Sequence, residues 1–256
     1  MDYERQAPHR QTTAQAAVRA HGICKAYRRV PVLFPLSFSL ESGRALALLG
    51  PNGSGKTTLL RLLAGLTDPS AGMITFGGSQ ASNRPSGIGF LGHDSHLYDD
   101  LTGYENLRFF LSLAGHDLDD VQIAETLENV SMRRAAGERV GQYSSGMKRR
   151  LGLARLLLMG PGLLLLDEPH ASLDADGQSL VDQVVRSSLA SGACAVIASH
   201  DQERTLALCD DVIVLDAGRT ISQCPTSEWA GRVHIRLLES DTSPRGGEDA
   251  TERGAG

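Results

Sequence analysis

Apolar runs of strand length alternate with stretches of helical period along most of the chain. ALALLG (45–50) precedes KTTLLRLLAGL (56–66), and CAVIASH (194–200) precedes ERTLALC (203–209). This alternation predicts a largely parallel sheet with helices around it. From about Leu101 to Leu158 the pattern becomes helical throughout. NLRFFLSLAG, VQIAETLENV and MKRRLGLARLLL each repeat apolar residues at three- and four-residue spacings, which predicts a helical lobe, about 95–158, inserted into the sheet domain. Residues 1–16 and ESDTSPRGGEDATERGAG from Glu239 contain almost nothing to bury. They are expected to be disordered tails flanking a domain over 17–238.

Composition changes this picture little. With 41% apolar and 21% charged residues in 256, the chain is an ordinary globular one, long enough to bury most of its unfolded surface. A net charge of −5 supplies no basic field for a phosphate backbone, so no nucleic-acid partner is expected. Cys24, Cys194, Cys209 and Cys224 lie far apart, with no CxxC pair, as reduced thiols in a cytoplasm would. The most apolar region, LARLLLMGPGLLLL, is interrupted by Arg155 and by Gly160-Pro161, well short of the roughly 18 residues of a membrane span.

The strongest chemical signal is GPNGSGKTT, namely Gly50, Pro51, Asn52, Gly53, Ser54, Gly55, Lys56, Thr57 and Thr58. It follows an expected strand and opens an expected helix, the setting in which a glycine-rich loop turns successive N–H groups toward phosphate oxygens. Lys56 would bridge the outer phosphates, and the Thr57 hydroxyl would reach Mg²⁺. A second signal is LLLLDEP (163–169), a buried strand delivering Asp167 and Glu168 to its carboxyl end. Asp167 suits the metal, and Glu168 suits the base that activates water for phosphoryl transfer. A third is LGHDSH (91–96). Its His93, Asp94 and His96 have metal-ligating side chains, but i, i+1 and i+3 of a strand-to-loop segment do not converge.

Taken in order, these motifs resemble the nucleotide-binding subunit of ATP-binding-cassette (ABC) transporters over about residues 18 to 225. YSSGMKRR (143–150) stands where that family has its signature, SLD (172–174) where it has the D-loop, and His200 in ASHD where it has the switch histidine. The resemblance implies an α/β fold: a P-loop NTPase cassette with a mainly parallel sheet core, an antiparallel β subdomain and the inserted helical subdomain. It implies ATP and Mg²⁺ as cofactors, Tyr27 stacked on adenine, and Ser144, Ser145, Gly146 and Asp174 at nucleotide. Lys56, Glu168 and His200 would serve hydrolysis, and Thr57, Asp167 and His93 the metal, His93 replacing the family's sensor glutamine. The implied partners are a second ATP-binding subunit, with a homodimer expected, and integral membrane permease subunits, so the chain would be cytoplasmic and peripheral on the inner face of the membrane.

The signature departs from the family pattern at Ser145 and Met147. Ser144 retains a hydroxyl for a γ-phosphate, and Gly146 permits close backbone approach. Lys148, Arg149 and Arg150 are expected on a solvated helix face. LGH followed by LTGYENLRFF further resembles the ATPase of the haem exporter of cytochrome c maturation, which implies haem as cargo. The alternatives are an exporter ATPase for another cargo, or a non-transport ABC ATPase on DNA or ribosomes. Chromosome-maintenance relatives need long coiled coils where this chain has roughly a hundred residues between Lys56 and Leu163. Ribosomal ones resemble two cassettes in tandem. A kinase shares the phosphate loop but predicts no signature, D-loop and switch histidine.

Overall fold

The computed structural model describes residues 16–77, 87–92, 96–116 and 119–229. Apart from Ala16, the two expected tails therefore lie outside the described residues, as do His93 and Asp94. Among the described residues the strands form two sheets. The larger contains β3 (Ala45–Leu49), β5 (Ile88–Leu91), β6 (Leu163–Asp167), β7 (Cys194–Ala198), β8 (Asp211–Asp216) and β9 (Arg219–Pro225). Its order is β5-β6-β7-β3-β8-β9, parallel except for the last pair. The smaller is antiparallel, with β2 (Val30–Glu41) and β4 (Ala71–Phe76) on either side of β1 (Ala16–Tyr27).

Strands β3, β6 and β7 are buried at every position, because successive side chains enter two different cores. Leu46, Leu48, Leu163 and Leu165 face α1 (Lys56–Leu63) and the small sheet, packing with Leu59, Leu63, Ile23 and Phe38. Ala45, Ala47, Leu49, Leu164 and Leu166 face the opposite way, onto α4 (Ser145–Met159) and α5 (Ala175–Ala190). Each fully buried leucine contributes about 1.5–3 kcal/mol, so these continuous apolar runs fix the sheet firmly.

The lobe is built from α2 (Gly103–Leu113), α3 (Asp120–Asn129), two short 3-10 turns and α4. Both α2 and α3 open on reciprocal caps, Thr102 with Glu105 and Asp119 with Gln122, which satisfy amides that the helix leaves open. The lobe has its own core, including Leu107, Leu111, Ile123, Leu127, Leu151 and Ala154. Helix α4 belongs to both bodies, since Leu153 and Leu156 enter the sheet core while Leu151 and Ala154 enter the lobe.

ERTLALC does not continue as a helix to Cys209. Helix α6 (Gln202–Leu206) stops short, because the chain is pinned at the residue immediately before β8. The Asp210 N–H donates to Ala45 O at 2.9 Å and its carboxylate accepts from Ala45 N at 2.9 Å. Short helix α7 (Thr226–Trp229) closes the described chain. The connections after β3, β5, β6 and β7 all leave from the same end of the sheet, the carboxyl end, where open α/β sheets bind ligands.

Candidate functional site

The connection from β3 to α1 is a curled loop. Gly50 has φ 145 and Gly55 has φ 107, values that side chains with a Cβ resist. A Cβ at Gly50 would also collide with the Leu215 carbonyl oxygen, whereas above Gly53 there is open space. Helix α1 starts from Gly55 with no side-chain cap, leaving its first amides for an anion. The Lys56 ammonium donates to Gly50 O at 2.7 Å and Pro51 O at 3.1 Å. Burial pushes its pKa down, against an upward pull from Glu168 and Asp167.

Thr57 Oγ1 donates to Asp167 Oδ2 at 2.7 Å, joining the start of α1 to the end of β6. Asp167 is only 5% exposed. A hydroxyl beside a carboxylate, with phosphate oxygens expected on the adjoining amides, is a hard oxygen donor set that fits Mg²⁺. Glu168 follows with φ 49, and its N–H donates to Ala198 O at 2.8 Å. Its Oε2 accepts from Ser199 Oγ at 3.1 Å and from the His200 backbone N–H at 3.3 Å. The same oxygen lies 2.8 Å from His200 Nδ1. These groups share a cleft of about 710 Å³ whose lining includes Asn52, Lys56, Thr57, Asp167, Glu168 and His200.

Gly53, Gly55 and Thr58 also line the cleft, whereas the remaining expected residues beyond the phosphate loop and the acidic strand fall elsewhere or outside the described chain. Tyr27, 44% exposed, lies at the end of β1 beneath the Lys25 ammonium, 5.0 Å from its ring centroid, and Val32 rather than Tyr27 lines the cleft. Ser144 caps α4 by accepting from Met147 N at 3.2 Å. Ser145 is the first residue of that helix, and a Cβ on Gly146 would sit 3.0 Å from Ser172 O. None of the three lines the cleft. Asp174 caps α5 through Gly177 N at 2.9 Å and pairs with Arg150 at 2.6 Å. Its pKa is lowered first by the Gly177 amide and then by Arg150. Among the described residues no group of three or more His, Cys, Asp or Glu is arranged to hold a metal.

The solvated face expected for Lys148, Arg149 and Arg150 is not present. Lys148 pairs with Asp99 at 2.7 Å, the Arg150 side chain is 14% exposed, and Arg149 is 7% exposed. Helix α4 is covered on two sides, so its basic residues are drawn under neighbouring segments. Arg149 donates to Gly92 O at 2.8 Å and to Glu168 O at 2.9 Å. The run LGLARLLL carried the signal, because a helix apolar nearly all round is a buried one.

The ABC transporter family profile matches residues 33–171, more than half of the chain. The Nod factor export ATP-binding protein I of Rhizobium johnstonii is 36% identical over 236 residues, covering 89% of this chain and 73% of that protein. The chain belongs to the ABC transporter family. Another ABC relative, the linearmycin resistance ATP-binding protein LnrL of Bacillus subtilis, is 33% identical over 211 residues, 80% of this chain and 68% of that one. The chain spans between 66% and 73% of the length of such curated relatives. An ABC transporter ATP-binding subunit of known structure superposes with a TM-score of 0.75 at 24% identity, over 83% of this chain and 91% of that one. Clostridium perfringens cbiO1, part of the ABC transporter complex cbiONQ, gives 0.69 at 25% identity, over 84% and 91%. ABC ATP-binding cassettes are ATPases that drive transport, and the sheet order described above is the cassette fold. These ABC relatives carry export and resistance names, and the haem assignment draws no support from them.

Proposed function

We propose that this chain is the ATP-hydrolysing subunit of an exporter for a cargo other than haem, working on the cytoplasmic face with integral membrane permease subunits. The cassette runs over about 17–238, with the lobe over about 95–158. The observation that carries the reading is the split of the motifs. Lys56, Thr57, Asp167, Glu168 and His200 share one cleft, while Ser144, Ser145 and Gly146 lie off it. Two copies, each offering its signature to the other's cleft, complete the site. No nucleic acid is needed.

The phosphates of ATP rest on the amides of Gly53 to Thr58, and Lys56 Nζ exchanges the Gly50 and Pro51 carbonyls for phosphate oxygens. Thr57, Asp167 and His93 would hold Mg²⁺, which supplies charge neutralisation on the phosphates. Glu168 takes the proton as water attacks the γ-phosphorus; the bond to the bridging oxygen breaks and ADP leaves. His200, beside that carboxylate, orients it and the γ-phosphate. The adenine base extends beyond the cleft lining onto the exposed ring of Tyr27, and Asp174 shapes the loop facing the second copy. Loss of the shared γ-phosphate releases the copies, and that difference in affinity moves the permease. A second reading, haem export, rests on LGH and LTGYENL alone.

Glu168→Gln is expected to bind ATP, stop turnover and accumulate an ATP-bound dimer on size exclusion. Turnover at the parental rate would remove Glu168 from its role. Lys56→Ala is expected to lose nucleotide binding, since a charge-assisted contact contributes roughly 1.5–3 kcal/mol.

A further inference from the structure

Glu168 adopts a left-handed backbone conformation, φ 49, which a residue with a Cβ resists. Something must hold it there. Its N–H is fixed by Ala198 O, and its carbonyl accepts from Ala171 N at 3.1 Å and from Arg149 Nη2 at 2.9 Å. The other Arg149 nitrogen, Nη1, donates to Gly92 O at 2.8 Å. Gly92 and Glu168 each directly follow one of the adjacent parallel strands β5 and β6, where the ladder of sheet bonds ends. One guanidinium therefore spans both strand ends from a helix belonging to the lobe.

The guanidinium is costly to bury. Desolvation lowers the Arg149 pKa, and the nearby carboxylates of Asp167 and Glu168 pull it back up. Its terminal nitrogens donate to the backbone carbonyls of Gly92 and Glu168. A planar fork suits that task, because two acceptors on different strands need two donors at fixed spacing, whereas a lysine ammonium is a single point. Arg149 also lies three residues after Gly146, one turn along the same face of α4.

We propose that Arg149 is a positioning residue for ATP hydrolysis. It holds the Glu168 backbone in its left-handed turn, and it ties that turn both to the signature end of α4 and to the exit of β5 at Gly92. Engagement of Ser144 and Gly146 by a second copy's nucleotide is thereby sensed at the base, one helical turn away. This inference rests on Glu168 acting as the base, as proposed above.

The test uses the full chain, with Arg149→Met removing both donors and Arg149→Lys keeping the charge but not the fork. Steady-state ATPase, equilibrium binding of a non-hydrolysable ATP analogue and thermal midpoint are measured for each. Arg149→Met is expected to lower kcat between about 10-fold and 100-fold, the scale of a misplaced catalytic group. KM and analogue affinity should stay within about threefold. Arg149→Lys should recover part of kcat, and it decides the matter alone if Arg149→Met does not fold. Parental kcat in Arg149→Lys and Arg149→Met, or a loss seen in KM alone, overturns the proposal. Full turnover in Glu168→Gln instead removes the reading on which the proposal stands.

Discussion

Gly103→Ala provides a geometric test of how the helical lobe is closed. A Cβ at Gly103 would fall inside the contact distance of Tyr143 Oη, with Cζ at 3.3 Å and Cε2 at 3.5 Å. The phenol cannot simply turn aside. Tyr143 is 6% exposed within the lobe core, and its hydroxyl donates to Ala135 O at 2.5 Å. Overpacking a core of this kind costs about 1–3 kcal/mol, and shifting the ring also weakens a hydrogen bond with a net value of about 0.5–1.5 kcal/mol. Replacing glycine by alanine in a helix returns at most about 1 kcal/mol, and less at the first helical position. The sum is a net loss of about 1–4 kcal/mol.

Tyr143→Phe deletes the clashing atom, and the remaining carbon at 3.3 Å is tight but tolerable. Gly103→Ala in the Tyr143→Phe background should therefore cost less than about 0.5 kcal/mol, the usual limit of additivity between independent sites. Urea unfolding of the four proteins at 25 °C measures the cycle. If the double variant loses the sum of the two single losses, the steric reasoning fails.

Two further outcomes follow from the ionisable groups. The carboxyl of Asp174 is held below its ordinary value by the Gly177 amide and then Arg150. That of Glu105 is held down by the backbone and then the side chain of Thr102. Folded values below unfolded ones give stability that is complete above about pH 4 and lost as pH falls further. Asp174→Asn and Glu105→Gln should each flatten the acid limb of a denaturation-midpoint profile between pH 3 and 6, and an unchanged limb counts against these pairings. Burial raises the Cys194 thiol, and burial with the carboxylates of Asp210 and Asp211 pushes Cys209 far up. Native alkylation at pH 8 should therefore label half-buried Cys24 and Cys224 first and the other two only after unfolding; rapid labelling of all four would contradict the buried placement.

Much of the phosphate cradle was legible because it is local. Gly50 to Thr58 are contiguous, so the residues that shape the loop announce themselves, and LLLLDEP carries its own strand and carboxylates. The alternation of ALALLG and CAVIASH with helical stretches likewise conveyed the parallel core. What escaped reading depends on elements far apart in sequence. The KRR run looks polar, and only the simultaneous packing of α4 against β5 and the lobe shows Arg149 beneath the surface. The early end of α6 depends on Asp210 meeting Ala45, a contact across 165 residues that no local pattern contains. Asp174 was assigned from its place in a motif, while its carboxylate is engaged by Gly177 and Arg150.

Helix α4 serves two cores at once, which restricts how its length can change over generations. Inserting a single residue within its 15 would rotate everything downstream by about 100°, carrying sheet-facing Leu153 to the angle of lobe-facing Ala154 and sheet-facing Leu156 to that of exposed Leu157. Insertions of three or four residues restore the phase but slide both contact surfaces by about 5 Å. Homologous chains that keep this arrangement should therefore vary in length in the connections around α4 and hold the count between Ser144 and Gly160 fixed.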